Sequence, residues 1–377
     1  MEPLSKDTKK IIKTINKLFL IGNGFDLALG LDTRYSDFLL WLVKKYIKKC
    51  LKDSDPDSIR TEQCKFNSNF IDISVENRLK IDSFFNLNDI EQAKNEHNLN
   101  IKFKPEYGIL NKVFNMKESN WIDIETEYFN LFKSIFNTFY LELKEKDKKE
   151  RIIELNKELD FISIELQEYL NNQIISLQTL SKQKFVRQFQ DSVKIDDEIF
   201  FDTYMENRIT DFKIGTTYFL NFNYTDTLNY VCDFNPLFIF NQIHGNSHEE
   251  IIFGYGDEMD KSYKDIEELN DNELLRHIKS FSYFRRSNYR HLLSFLDSGE
   301  FQVCIYGHSC GLSDRVMLNE IFEHKYCHSI RVYFYKDEKE YIEKTMNISR
   351  HFTSNKLMRQ KIINFNPKNK IPQLKKI

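Results

Sequence analysis

Apolar residues along the chain cluster in short, nearly continuous runs that end at turn signals. A strand covered on both faces requires such a run, whereas a strand with one solvated face alternates apolar and polar residues. We therefore predict the buried strands of a mainly parallel sheet at Leu18–Ile21, Tyr218–Phe222, Leu237–Phe240, Val303–Tyr306 and Ile330–Tyr335.

Helical periodicity lies between these runs, at Tyr35–Lys49, Asp226–Val231, Ser313–Phe322 and Glu338–Ser349. Strands that alternate with helices are typical of a doubly wound α/β sheet. Residues 51–120 break the pattern and are rich in Asn, Asp and Lys, which indicates an insertion or lid. The apolar spacing from Trp121 to Leu180 predicts two long helices. We thus expect a core in two parts, 1–50 and 212–377, interrupted by a lid and helical insertion at 51–211.

Composition narrows the class of protein. The chain has 377 residues, 41% of them hydrophobic, and 54 basic against 57 acidic residues, so it can bury a core and has no net field that favours nucleic acid or an anionic membrane. No apolar run approaches the roughly 20 residues that span a bilayer, and no signal peptide is recognisable. The six cysteines form no C-x-x-C pair, which argues against a zinc module and a disulfide framework. We expect a cytoplasmic, metal-free protein.

A glycine-bearing loop follows the first predicted strand and consists of Gly22, Asn23, Gly24, Phe25 and Asp26. Two glycines allow a sharp turn and the close approach of a ligand, and the free amides at a helix start favour a pyrophosphate. The third glycine of G-x-G-x-x-G is missing, so a tight turn without a ligand stays an equal alternative.

Polar residues follow the second and third predicted strands. Asn223 and Tyr224 come after one strand and His244 after the next. Ligands of open α/β sheets bind at the carboxyl ends of strands, and histidine is the usual general base near neutral pH. The alternatives are a helix cap at Thr225 or Asp226 and a structural histidine.

The loop after the fourth predicted strand, Gly307–Gly311, matches the G-x-S-x-G pattern of a nucleophile elbow. Ser309 would then be the nucleophile, with Asp314 or Asp337 and His351 as its partners. The motif stands unusually late in the chain for such a hydrolase. In the alternative, the loop closes over a nucleotide and Asp314 binds a ribose hydroxyl.

Together these loops resemble the bacteriophage abortive-infection family AbiH over residues 18 to about 335. The resemblance rests on Gly22 to Leu27, Thr33 to Tyr35 with Phe38, Trp121 with Glu125, Phe222 to Thr225, Ile243 to Gly245, and Gly307 to Ser309 with Gly311 and Asp314. It implies a bacterial defence protein that halts phage propagation at the expense of the infected cell.

The same loop series is similar to that of sirtuin-type Rossmann folds, in which such loops surround NAD. That resemblance implies that Asn223 and His244 are catalytic. It further implies a cofactor-binding set of Gly22, Asn23, Gly24, Phe25, Asp26, Tyr224, Gly307, His308, Ser309 and Asp314, with Glu125 and Thr33 as additional candidates. Without the zinc module of the protein deacetylases, the implied chemistry is the hydrolysis of NAD itself, with NAD as substrate and no metal.

Three classes of function therefore compete: an NAD-cleaving effector, a non-enzymatic nucleotide-binding phage sensor, and a serine hydrolase that uses Ser309. We expect the glycine-bearing loops to converge on one pocket at the carboxyl edge of the sheet, with Glu125 at its mouth. The expected partners are a small-molecule nucleotide and a phage protein as trigger, with no membrane and no nucleic acid, and a homo-oligomer stays open.

Overall fold

A computed structural model describes residues 11–52, 64–76, 84–116, 123–137, 145–172, 179–190, 209–232, 237–246, 248–255, 258–260 and 262–374. Within these ranges the strands are β1 (Ile11–Ile21), β2 (Cys64–Asn67), β3 (Ile71–Val75), β4 (Asn100–Phe103), β5 (Ile209–Asn221), β6 (Phe238–Gln242), β7 (Phe301–Tyr306) and β8 (Cys327–Val332). The helices are α1 (Asn23–Ala28), α2 (Tyr35–Lys52), α3 (Leu87–Glu96), α4 (Ile109–Asn115), α5 (Ile124–Asn137), α6 (Glu145–Asn171), α7 (Thr179–Gln190), α8 (Thr227–Cys232), α9 (Tyr263–Glu268), α10 (Asn272–Leu275), α11 (Lys279–Ser282), α12 (Asn288–Leu296), α13 (Arg315–Glu323), α14 (Glu338–Ser349) and α15 (Asn355–Lys361).

Five strands form a parallel sheet in the order β6-β5-β1-β7-β8. The chain starts in the centre with β1, adds β5 and β6 on one side, and returns to the other side of β1 for β7 and β8. The strand order therefore changes direction along the sheet between β1 and β7. The predicted parallel α/β sheet is confirmed, and each predicted apolar run overlaps one of its strands.

Apolar side chains of the sheet pack into a cluster on each of its faces. Alternation along β1 places Leu18 and Leu20 in one cluster and Phe19 and Ile21 in the other. Helices α12, α13 and α14 contribute to the first cluster, and α1, α7 and α8 contribute to the second. Cover on both faces explains why these strands have continuous apolar runs in the sequence.

The central strands begin earlier than the apolar pattern predicts. β1 starts at Ile11 rather than Leu18, and β5 starts at Ile209 rather than Tyr218. These early halves pair with each other, with Ile15 opposite Ile214, and the register shifts between Ile11 and Ile12 and again between Ile15 and Lys17. They carry polar residues between the apolar ones, so the continuous-run criterion did not include them.

The chain divides into two compact units. The first unit contains Met1–Leu31, Ile174–Glu249 and Tyr283–Ile377, and the parallel sheet lies in it. The second contains Asp32–Gln173 and Glu250–Ser282. The boundaries that the sequence predicts between the core and its insertion, near residues 50 and 211, stay a prediction.

The second unit has structure that the sequence pattern did not reveal. Strands β2, β3 and β4 form an antiparallel sheet inside the segment interpreted as an insertion or lid. Ile71, Ile73 and Val75 of β3 are buried with polar residues between them, which is the alternation of a strand with one covered face. These three strands are short and contain polar residues, so they do not appear as continuous apolar runs in the sequence.

The helical insertion also differs in detail. Helices α5 and α6 agree with the predicted pair, but α6 ends at Asn171 and the apolar residues after it belong to a separate helix, α7. Phe185 and Phe189 of α7 pack in the core of the first unit. Trp121 lies outside the described residues.

A disulfide bond joins Cys50 at the end of α2 to Cys64 at the start of β2. The sequence argued against a disulfide framework, and the structure contains this disulfide bond. Spacing could not reveal the bond, because Cys50 and Cys64 are brought together only when β2 packs beside α2. Cys232, Cys304, Cys310 and Cys327 are buried thiols outside any disulfide.

Candidate functional site

The loops that follow β1, β5, β6 and β7 meet at the carboxyl edge of the parallel sheet. The amide of Gly24 donates a hydrogen bond to the carbonyl of Gly307 at 2.8 Å, which joins the loops after β1 and β7. Asn223 Nδ2 donates to the carbonyl of Gly22 at 3.2 Å, which joins the loop after β5 to the same place. His244 follows β6 and contacts Asp314 beyond β7. The edge thus brings together residues that the sequence placed after four separate strands.

The glycines at this edge are required by the packing of two loops against each other. A Cβ on Gly22 would lie 2.5 Å from the Cα of His308, and one on Gly24 would lie 2.8 Å from the Cα of Gly307. Gly307 itself has a φ of +74°, a conformation that side chains disfavour. The close backbone approach predicted for these glycines exists, and the atoms that approach belong to the protein's own chain.

Asp26 fastens α1 to the loop after β5. Its carboxylate accepts hydrogen bonds from Thr225 Oγ1 at 2.6 Å and Thr227 Oγ1 at 2.5 Å, and it is fully buried. Burial raises the pKa of Asp26 to about 6, against the lowering effect of the bonds from Thr225, Thr227 and Asn223. Asp26 is therefore committed to internal contacts, and Thr225 serves this network instead of capping α8.

His244 and Asp314 form the charged centre of the site. His244 Nε2 lies 3.3 Å from Asp314 Oδ1, and both side chains are buried. Because a carboxylate can only accept a hydrogen bond, this contact places the ring proton on Nε2 and leaves the lone pair on Nδ1. Asp314 stands at the N-terminus of α13 but makes no side-chain cap there, so its carboxylate orients His244 instead of the helix amides.

Aromatic rings surround His244. The ring of Phe222 lies 5.4 Å from that of His244 and 4.1 Å from that of His308, and the half-buried Tyr224 ring lies 6.2 Å from His244. These rings exclude water from part of the site. Phe25, in contrast, is fully buried and packs its ring against Phe185, in the core and away from solvent.

His308 is a neutral member of the site. Burial lowers its pKa to about 3, although the nearby Asp314 carboxylate opposes this shift. Its Nδ1 accepts a hydrogen bond from the amide of Cys310 at 3.0 Å, so the ring shapes the loop after β7. His308 is thus placed to support the loop and not to exchange protons near neutral pH.

The geometry does not support a nucleophile elbow at Ser309. The non-glycine residue with positive φ in this turn is Cys310, at +53°, and not Ser309, whereas an elbow places its nucleophile in the strained position. Burial raises the pKa of the Cys310 thiol to about 12, so it is not a thiolate. His351 Nε2 bonds the carbonyl of Cys310, and Asp337 caps α14 through the amide of Glu340. The partners required for the hydrolase are therefore engaged elsewhere.

Glu125 and Thr33 lie in the second unit. Glu125 is buried, accepts a hydrogen bond from the amide of Gly254 at 3.0 Å and forms an ion pair with Lys279 at 3.0 Å. Glu125 is therefore not a solvated surface acid, because its carboxylate is held by Gly254 and Lys279. Its place at the mouth of the pocket stays a prediction.

Two groups of this edge carried no sequence signal. Tyr283 Oη lies 3.2 Å from His244 Nε2. From α14, Lys344 Nζ and Asn347 Nδ2 donate to the carbonyls of His308 and Ser309 at 3.4 and 3.3 Å. Neither group stands in a motif, and only the spacing of Lys344 and Asn347 on one helix face could have indicated a shared contact.

The fold and the site define an α/β protein whose buried His–Asp pair lies at the carboxyl edge of a parallel sheet. A family described as Bacteriophage abortive infection AbiH matches residues 18–336. The chain belongs to this family, so the resemblance to AbiH and the abortive-infection role that it implies are confirmed. No curated protein and no solved structure matches the chain. None of the described helices is long and apolar enough to cross a membrane.

Proposed function

We propose that this protein is an abortive-infection effector that hydrolyses NAD to nicotinamide and ADP-ribose at the carboxyl edge of its parallel sheet. The observation that carries the proposal is the 3.3 Å contact between His244 and Asp314, beside the loop that holds Asn223. A base oriented by a carboxylate is the arrangement that activates water in many hydrolases.

The position of the site supports a nucleotide substrate. Open α/β sheets bind nucleotides where the winding direction reverses, and in this sheet the reversal falls between β1 and β7. The strand order, with β5 and β6 on one side of β1 and β7 and β8 on the other, is that of Rossmann-type sheets. The loops that hold Gly22 and Gly307 flank the reversal point.

The reaction breaks the bond between the nicotinamide nitrogen and the ribose carbon. The nitrogen keeps the electron pair and leaves as neutral nicotinamide, and the oxygen of a water molecule bonds to the same carbon. His244 Nδ1 accepts the proton that the water loses, and Asp314 stabilises the resulting imidazolium through Nε2. No acid is needed for the leaving group, because the pyridinium nitrogen becomes neutral as it departs.

Asn223 is suited to hold the sugar. Its Nδ2 is used on the carbonyl of Gly22, which fixes the plane of the amide and directs Oδ1 away from that contact. An amide oxygen accepts hydrogen bonds from hydroxyl groups, so Oδ1 would orient the ribose or the attacking water.

A second candidate is a nucleotide-binding sensor without catalysis. It is favoured by the burial of the site, since His244 is 3% and Asp314 is 8% exposed. A sensor needs a ligand-dependent change at this edge but no base, so the role of His244 separates the two candidates.

The test is incubation of the purified full-length protein with NAD, with and without phage lysate, followed by chromatography for nicotinamide and ADP-ribose. Removal of a positioned base typically slows a reaction roughly 100- to 10,000-fold. We therefore expect His244→Ala and Asn223→Ala to lose both NAD turnover and protection of cells from phage. His248→Ala is the matched control, because His248 is 73% exposed and lies a few residues along the same loop.

The alternative outcomes are distinct. If neither the wild type nor any variant turns over NAD, and the His244→Ala protein still protects cells from phage, the protein is a sensor. Ser309→Ala should reduce affinity about tenfold if the hydroxyl merely bonds a nucleotide, which corresponds to about 1.4 kcal/mol. Complete loss of ester hydrolysis in Ser309→Ala, with retention in His244→Ala, would instead support the serine hydrolase.

A further inference from the structure

Tyr283 is the group on His244 that the proposed function does not use. It opens the 3-10 turn Tyr283–Arg285, directly after the segment that belongs to the second unit, and its hydroxyl lies 3.2 Å from His244 Nε2. The two rings are nearly parallel, at an interplanar angle of 8° and a centroid distance of 6.2 Å.

The Tyr283 ring is held independently of its hydroxyl. It stacks on Tyr289 of α12 at 5.1 Å with an interplanar angle of 11°, and it packs against the apolar cluster that covers one face of the sheet. The hydroxyl of Tyr289 is directed elsewhere, to Glu320. The stack therefore positions a phenol oxygen at His244 by packing alone.

Two oxygens thus face one nitrogen. Tyr283 Oη at 3.2 Å and Asp314 Oδ1 at 3.3 Å both lie on His244 Nε2. An imidazole nitrogen carries either a proton or a lone pair, and a carboxylate can only accept. The arrangement is satisfied when Nε2 bears the proton and shares it between the two oxygens, so that the ring lone pair is on Nδ1.

We propose that Tyr283 is a positioning residue of the site, which together with Asp314 holds the His244 proton on Nε2 so that Nδ1 is the basic nitrogen. The inference rests on the proposed role of His244 as the base. It adds a residue from outside the four loops, and it assigns Asp314 to His244 instead of to a ribose hydroxyl.

The test is NMR of the full-length protein labelled with ¹⁵N in the histidine rings, with the His244 signals assigned by their loss in His244→Gln. We expect the wild-type protein to show the Nε2–H tautomer. Tyr283→Phe keeps the stack and removes only the oxygen, so the ratio of the Nδ1–H to the Nε2–H tautomer should rise about fivefold, the effect of one hydrogen bond of about 1 kcal/mol. Tyr289→Phe is the matched control and should leave the ratio unchanged.

The proposal is overturned by a wild-type His244 that carries its proton on Nδ1, a result that needs no variant to fold. It is equally overturned by a Tyr283→Phe protein whose tautomer ratio equals that of the wild type. Because the ring nitrogens are read directly, the result does not depend on NAD turnover. The expected tautomer shift without any NAD hydrolysis would support the role of Tyr283 and reject the proposed reaction.

Discussion

Ionisable side chains at the carboxyl edge of the sheet are buried, although such groups usually lie in solvent. Asp26 and His308 are both fully buried and both have strongly shifted pKa values, one raised and one lowered, because burial disfavours the charged form of either group. Hydrogen bonds from Thr225 and Thr227 hold the Asp26 carboxylate, and a hydrogen bond from the amide of Cys310 holds the His308 ring. These residues build the frame within which His244 and Asp314 meet.

Asp26 should make the stability of the protein depend on pH in a defined window. In the folded protein its pKa is about 6, whereas the ordinary pKa of an aspartate is 3.8. Between these values the unfolded chain releases the proton first, so the contribution of Asp26 to stability falls as pH rises from about 4 to 6 and stays low above that range. Asp26→Asn removes the titration and should gain stability relative to the wild type across this window.

The measurement is urea unfolding of both proteins at closely spaced pH values from about 4 to 7, the range set by the two pKa values. Asp226→Asn is the control, since Asp226 is 41% exposed and faces His248 at the surface. Parallel pH profiles for Asp26→Asn and the wild type would contradict the expected contribution.

At the scale of elements, the site is built by contact between strand-end loops. The loop after β1 and the loop after β7 pack so closely that glycine is the only residue that fits at Gly22, Gly24 and Gly307. The isolated bridge between Ile21 and Gly307 continues the sheet into these loops. Helix α14 holds the second loop from outside through Lys344 and Asn347. The loops of the site are therefore fixed to each other, to the sheet and to α14.

Gly22→Ala should test this contact. The new Cβ would lie 2.5 Å from the Cα of His308, and backbone atoms cannot rotate away, so the two loops must separate. We expect a loss of about 1–3 kcal/mol in unfolding free energy, the usual cost of overpacking. Gly311→Ala is the control, because Gly311 has a φ of −68° that any residue adopts.

The unfolding free energies of the wild type, Gly22→Ala and Gly311→Ala are measured by denaturant unfolding. Binding or turnover of NAD is measured on the same samples. Equal stability of Gly22→Ala and Gly311→Ala would show that the loops are not in close contact in solution.

At the scale of the whole molecule, the family assignment covers both units, since the match spans residues 18–336. The first unit contains the parallel sheet and the candidate site. The second unit contains the antiparallel sheet, the Glu125–Lys279 pair and the disulfide bond. The two units are interleaved in sequence, because each consists of separate stretches of the chain.

The Cys50–Cys64 bond should stabilise the second unit. It closes a loop across a sequence separation of 14 residues, and the restriction of the unfolded chain by a loop of this size is worth about 3 kcal/mol. A reductant should therefore lower the thermal unfolding midpoint of the wild-type protein. The Cys50→Ser, Cys64→Ser double variant should start from the lower midpoint and not respond to reductant. Titration of all six cysteines as thiols in wild-type protein unfolded without reductant would contradict the bond.

Much of the first unit could be predicted from the sequence. The five strands of the parallel sheet appear as apolar runs because both of their faces are covered, and Glu338–Ser349 has the predicted bounds of a helix. The meeting of the loops after β1, β5, β6 and β7 could be predicted as well, since loops at the carboxyl ends of parallel strands lie along one edge. The sequence pattern did not predict the early halves of β1 and β5 or the antiparallel sheet. Polar residues alternate with apolar ones in these strands, so their local sequence resembles that of loops.

What the sequence determined by itself is the parallel sheet and the edge at which its strand-end loops lie, because burial on both faces imposes a local apolar pattern on each of its strands. Only the tertiary structure decided which side chains act on one another. Asp314 meets His244, Tyr283 joins them, and Cys50 meets Cys64 through contacts between elements that are distant along the chain. A hydrogen bond forms only when the donor–acceptor distance is correct to within a few tenths of an ångström. That distance is set by how whole elements pack against each other, and not by the residue pattern within one element.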